Sequence, residues 1–226
     1  MRRRPDQLPR GTHGLGREHV AQHQRNRVLN AIGPAVIELG YTATTVEILR
    51  ERAGISRRTF YDHFTDKEDA VVAFYDAATE RLLEEIDAAV DNPRLQPLSR
   101  IGAATRATLT LAAEHPITSR VWLMAPGRAS ERLGERRRLT FAALSERLEA
   151  NLLEAGYPSA GPLGLSMSIG GACEVVRSQL VQGREDDLMA CGPAVVYALL
   201  VTHTGHAVAN RARLTGWGSS RSAARR

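Results

Sequence analysis

Apolar residues recur at three- and four-residue steps along most of this chain, the period of an amphipathic α-helix. Val28, Leu29, Ile32, Val36 and Leu39 share one face of a first helix predicted over residues 18–39. Gly33-Pro34 interrupts it, and because proline there lacks an amide hydrogen and crowds the carbonyl of Asn30, a kink is expected. Gly40 should end the helix as a left-handed cap. Thr44-Thr45-Val46-Glu47 reads as a capping box that opens a second, short helix at Thr45. That helix turns Val46, Leu49 and Ala53 inward and stops at Gly54, whose tolerance of positive φ suits a sharp turn. Ser56 then caps a third helix ending near Phe64, and Thr65-Asp66-Lys67-Glu68 repeats the capping-box pattern to start a long fourth helix towards Val90.

Beyond Asp91, turn signals at Asn92-Pro93, His115-Pro116, Pro126-Gly127, Tyr157-Pro158 with Gly161-Pro162, and Gly183 separate five further helices. They are predicted at 97–114, 117–125, 130–155, 163–182 and 187–209. No strand pattern emerges. The expected fold is all-α: an N-terminal three-helix unit with a helix-turn-helix, joined through the fourth helix to a larger helical regulatory and dimerisation body. The expected divisions are an arm at 1–18, the three-helix unit at 19–65, the body at 66–210 and a tail at 211–226.

Charge refines this layout. The whole chain carries +5, and residues 1–67 alone carry +5, with 12 basic against 7 acidic side chains. Residues 68–210 sum to −5, and the tail holds five arginines and no acid. A basic head on an acidic body points to a nucleic-acid partner for the head. Arg2, Arg3, Arg4, Arg10 and Arg17 of the arm suit a minor groove or a phosphate track, and equally a solubilising extension. No signal peptide or membrane span is read from the sequence, so a cytoplasmic location is expected. Cys173 and Cys191 have no metal-ligand spacing and read as small core residues.

A short helix, a glycine-containing turn and a second short helix form the unit that lays its second helix in the major groove of double-stranded DNA. Here that helix reads Ser56-Arg57-Arg58-Thr59-Phe60-Tyr61-Asp62-His63-Phe64. Arg57 and Arg58 lead, and a guanidinium fork can donate twice to guanine O6 and N7. Thr59 offers a hydroxyl and a methyl, while Tyr61, His63 and Lys67 are donors for phosphate. Phe60 and Phe64 should face the core.

Gly40-Tyr41-x-x-Thr44-Thr45-Val46, followed by Ala53-Gly54-Ile55-Ser56-x-x-Thr59-x-Tyr61-x-His63-Phe64-x-x-Lys67-Glu68, resembles the signature of the TetR family of regulators. The resemblance runs ungapped over about residues 28–68. It implies a DNA-binding surface of Thr44, Thr45, Ser56, Arg57, Arg58, Thr59, Tyr61, His63 and Lys67, with Arg57, Arg58 and Thr59 towards bases. Three positions depart from the pattern. Asp62 places a carboxylate near phosphate and would accept from a cytosine amine or pair with Arg58; Arg50 stands where a small residue is common; Gly33-Pro34 is unusual in the first helix.

The resemblance also implies a homodimer paired through the C-terminal helices, a small-molecule effector, and ligand-responsive repression at a palindromic operator. Small residues between Gly164 and Ala172, and the apolar run through Val195, Val196, Ala198, Leu199, Leu200 and Val201, fit such pairing or an ordinary core. Trp122, Met124, Met167, Glu174, Arg177, Tyr197 and His203 are candidate effector contacts, each also compatible with ordinary packing. His203 and His206 are expected on one helical face but lack a third ligand, so neither metal nor other cofactor is expected. Arg136-Arg137-Arg138 reads as a solvated stripe paired with nearby acids. The competing functions are a sequence-tolerant architectural DNA-binding protein and, less favoured, a helical enzyme; no catalytic constellation is read.

Overall fold

The computed structural model describes residues 16–124, 130–159 and 161–215, and within them every regular element is helical. The arm up to residue 15, Pro126-Gly127 and the tail after residue 215 lie outside the described residues. The order is α1 (Arg17–Ala43), α2 (Val46–Ala53), α3 (Arg57–Tyr61), α4 (Lys67–Val90), α5 (Pro97–Glu114), α6 (Pro116–Leu123), α7 (Glu131–Glu154), α8 (Gly161–Val181), a 3-10 turn (Glu185–Asp187), α9 (Leu188–Thr204) and α10 (His206–Thr215).

One expectation about α1 is corrected and another is met at the residue named for it. Helical backbone continues through Gly33-Pro34, and the break falls at Gly40, with φ 78° and ψ 161°. This conformation strongly favours glycine, and it lets both the amide and the hydroxyl of Thr44 bond the Gly40 carbonyl, at 3.2 and 2.8 Å. The capping boxes also differ from the pattern. Thr45 caps α2 by accepting from the Ile48 amide, but Glu47 turns to Arg50 rather than back to the cap. In α4 the box starts one residue later than expected: Asp66 accepts from the Asp69 amide at 2.7 Å, and Asp69 accepts from the Thr65 amide at 3.0 Å.

One apolar core runs from the three-helix head into the body. Val28, Ile32 and Ala35 of α1, Leu49 of α2, Phe60 of α3 and Phe64 pack with Val71, Phe74 and Tyr75 of α4 and, beyond them, Val121 and Trp122 of α6. Tyr75 and Trp122 stack at 5.7 Å with their planes 12° apart, and the Trp122 indole donates to Thr79 Oγ1 at 2.9 Å. A second core joins α5, α7, α8, α9 and α10, and a third, smaller one joins α5, α8 and α9. The first core therefore spans the head and the part of the body built by α4 and α6.

The helix predicted over 187–209 is two helices. Gly205, with φ 77°, ends α9 and lets α10 fold back against it. Glu185–Thr204 is the one stretch among the described residues long and apolar enough to cross a membrane, yet it packs against α5, α8 and α10, and only 28% of that window is buried.

Candidate functional site

Local chemistry fixes the turn between α2 and α3. Gly54 takes the left-handed conformation, φ 65° and ψ 40°, and the Ile55 amide bonds back to the Arg50 carbonyl at 3.0 Å. Arg27 of α1 donates to the Gly54 carbonyl at 3.0 Å, tying the turn to the first helix. Ser56 caps α3 by accepting from the Thr59 amide at 3.0 Å, and its hydroxyl pairs with that of Thr59 at 2.9 Å. Phe60 and Phe64 are buried with ring centroids 5.5 Å apart. Their burial leaves Arg57, Arg58, Tyr61 and Asp62 on the exposed side of the same short helix.

The exposed side chains differ in freedom. The Arg57 guanidinium lies 5.8 Å from the centre of the Tyr61 ring, close enough for a cation–π contact that seats it. Arg58 and Asp62 form no ion pair with each other, so the expected alternative of a mutual pair is not adopted. Thr45 is exposed at the start of α2. Thr44, by contrast, is fully buried, and its hydroxyl donates to the Gly40 carbonyl beneath that surface. Lys67 donates to the Tyr41 carbonyl at 2.9 Å and its ammonium stands 4.3 Å from the Tyr41 ring centre. It fastens the end of α1 to the start of α4. His63 is half-buried, and its Nε2 is buried without a partner.

Sequence reasoning missed the struts: Arg27 to Gly54, Arg52 to Glu38 at 2.7 Å, and Arg25 over the Phe64 ring at 5.5 Å. Each joins residues distant in sequence, so no local pattern announces it. Arg50 lies outward between Glu47 and Glu51, which resolves the crowding expected from its size.

A cavity of about 420 Å³ lies in the body, walled by α4, α5, α6, α7, α8 and α9 and reached by Asn30 of α1. Its wall is largely apolar, through Leu82, Leu109, Leu148, Ile169, Val176 and Leu199. At one end Arg147 donates to both carboxylate oxygens of Asp87, at 2.8 and 2.7 Å, and holds the Asp87 carboxyl below its ordinary range. Cys173 lines the cavity, and burial pushes its thiol up to about 11.

Of the seven expected effector contacts only Trp122 lines this cavity. Met124 and Met167 are exposed on α6 and α8, and Glu174 and Arg177 pair with each other on the outside of α8. Tyr197 bonds His206 Nδ1 at 2.9 Å, and His203 bonds Ser168 at 3.0 Å, its basicity lowered by burial. These residues are the exposed or half-buried part of α8 and α9; an apolar-polar mixture in sequence did not distinguish outer faces from cavity walls. The break at Gly205 puts His203 and His206 on different helices with different partners. No cluster of three metal-ligating side chains occurs among the described residues. The arginine stripe is engaged: Arg138 pairs with Glu135, Arg136 with Asp76 at 3.4 Å, and Arg137 covers Phe141 at 4.6 Å.

A three-helix head with an exposed, arginine-bearing second helix of its turn motif, set on a helical body with an internal cavity, defines the class of helix-turn-helix transcriptional regulators. Residues 36–74 match the family model described as bacterial regulatory proteins, tetR family. The match covers α2, α3 and the start of α4, so the head of this DNA-binding regulator is similar to that of TetR-family proteins. A search of curated proteins finds no match. Among solved structures, the fatty acid degradation regulator FadR from Bacillus halodurans shares 19% identity at a TM-score of 0.69, over 78% of this chain and 94% of that one. FadR from Bacillus subtilis, determined with stearoyl-CoA, gives 17% and 0.66 over 80% and 98%. SmeT, the repressor of a Stenotrophomonas maltophilia multidrug efflux pump, gives 21% and 0.64 over 81% and 91%. At these identities the likeness is one of fold.

Proposed function

We propose that the protein is a ligand-responsive repressor that binds a palindromic operator as a homodimer and works in the cytoplasm with the chromosome. The observation that carries this reading is the single core shared by α3, α1, α4 and α6, which sets the DNA-facing helix and the wall of the cavity on one packed unit. Arg58 reads a base edge, with Arg57 and Thr59 beside it; Thr45, Tyr61 and His63 hold phosphate, and Ser56 fixes the start of α3. Lys67 positions the head, and Thr44 supports it.

Dimerisation through α8 and α9 is favoured by the apolar surface they leave open. Leu163 and Met167 are 75% and 69% exposed on α8, and Ala198 and Val201 of α9 are only half-buried within one subunit. Gly170 and Gly171 on α8 would meet nothing if given side chains, which leaves room for a helix of a second copy. An effector in the cavity would favour one arrangement of α4 and α6, and so one spacing of the two heads, by population shift. The stearoyl-CoA bound by the Bacillus subtilis neighbour agrees with a cavity whose wall is mostly apolar. No catalytic step is assigned.

Titration of an operator duplex, followed by fluorescence anisotropy and sedimentation, tests the assembly. Two protomers per palindrome, with a dimer already present at micromolar concentration, are expected. A monomer in solution that binds a single half-site would overturn the dimeric reading.

A further inference from the structure

The polar side chains around the cavity differ in how far they are engaged. On α7, Arg147 holds Asp87, and Asn151 donates to the Arg147 carbonyl at 2.8 Å while its own Oδ1 stays buried without a partner. At the end formed by α1, α4 and α6 stand Asn30, Arg81, His115, Thr118 and Ser119. None of these five side chains forms a hydrogen bond or ion pair with another described residue. Their placement in one region follows from packing, because Gly33, one turn after Asn30, meets both Ile117 of α6 and Phe74 of α4. Arg81 lies two turns beyond Phe74 on α4, and Thr118 and Ser119 follow Ile117 directly.

We infer that the effector is an amphiphile with an anionic head, the head held by Arg81 with His115, Thr118, Ser119 and Asn30, and the apolar body lying along Leu109, Val176, Ile169 and Leu199. The inference rests on the reading of the cavity as the effector site and adds the class of ligand. Two arginines line this cavity, and Asp87 neutralises only Arg147. Arg81 has no acidic partner among the described residues, and its donors are open. Thr118, Ser119 and Asn30 add neutral donors around it, a set that suits a carboxylate or phosphate oxygen and offers a cationic head no acidic partner. Arg81 and Asn30 are exposed while His115, Thr118 and Ser119 are half-buried, so this end is wet, as a charged head requires. Asn30 belongs to the DNA-binding head. A ligand bonded to it bridges the head to α4 and α6 directly, which gives binding a mechanical consequence for operator grip.

The test compares decanoate, decanol and decyltrimethylammonium by isothermal titration calorimetry on the full-length protein, and repeats each with Arg81→Gln. Decanoyl-coenzyme A is a fourth probe, separating a bound carboxylate from bound phosphates. Either anion is expected to bind on the order of tenfold or more tighter than decanol. Arg81→Gln should erase that preference while leaving decanol affinity unchanged. Asn30→Ala should still bind the anion but release operator less in its presence. Equal affinity for decanoate and decanol, or a preference unchanged by Arg81→Gln, overturns the anionic head and leaves the cavity as an effector site. No binding of any probe overturns both.

Discussion

Gly33 of α1 and Ile117 of α6 are packed so closely that a Cβ at position 33 would stand 2.9 Å from the Ile117 Cγ2. The missing side chain sits where the head meets the wall of the cavity. Alanine at position 33 would favour the helix by about 1 kcal/mol over glycine, but it would push Ile117 away. Because Ile117 is half-exposed, it can swing outward. We therefore expect Gly33→Ala to change stability by less than about 1 kcal/mol while operator affinity falls several-fold. Ile117→Ala should restore that affinity in the double variant. A double-mutant cycle on operator binding should give a coupling of about 0.5 kcal/mol or more; additive losses would show that the contact transmits nothing.

Arg58 and Tyr61 stand on the same face of α3 but should fail differently. Arg58→Ala is expected to cost about 1 to 3 kcal/mol on operator DNA and to relax one base position. Tyr61→Ala should weaken binding to operator and random duplex alike. The Arg57 guanidinium rests on the Tyr61 ring, so Tyr61→Phe should preserve much of the base preference that Tyr61→Ala disturbs. Anisotropy titrations on both duplexes distinguish these roles, and equal losses on both for Arg58→Ala would remove it from base reading.

Lys67, expected as a phosphate donor, donates to the Tyr41 carbonyl at 2.9 Å and is proposed as a strut. Lys67→Met should destabilise the protein by about 1 to 2 kcal/mol, because the Tyr41 carbonyl loses a charged donor. Urea denaturation measures this. Unchanged stability with weakened DNA binding would return Lys67 to the phosphate-gripping set.

Acid should loosen the structure at two carboxylates. The Thr65 amide bonded to Asp69, and the Arg147 guanidinium bonded to Asp87, hold both carboxyls below their ordinary range. A lowered value in the folded state contributes stability that is present above the unfolded value and is lost as pH falls through the folded one. The melting temperature should therefore decline as pH falls below the ordinary carboxylate range. Asp69→Asn and Asp87→Asn should each flatten the decline, and a slope untouched by either would assign acid sensitivity elsewhere.

The recognition surface was legible because its signals are local: Gly54 at a positive φ, Ser56 as a cap, and Phe60 and Phe64 four apart specify α3 and its buried side within a dozen residues. Tertiary relations were not. The cavity is assembled from seven helices, so Asn30, Arg81 and His115 carry no shared sequence pattern, whereas Met167 and Glu174 drew notice without lining it. Thr44 shows the same limit from the other side. Its position in the motif is that of a surface threonine, and only the backbone at Gly40 reveals that its hydroxyl is bonded inward. The Gly205 break was overlooked because the apolar pattern continues across it into α10.

Footprinting on genomic fragments selected with the purified protein tests most directly that α3 reads sequence as part of a paired regulator. The account predicts a protected inverted repeat whose half-sites lie one helical turn, or a small multiple, apart, persisting as salt rises while random DNA is released. Broad, salt-labile coverage without a protected repeat would contradict it and favour a sequence-tolerant architectural protein.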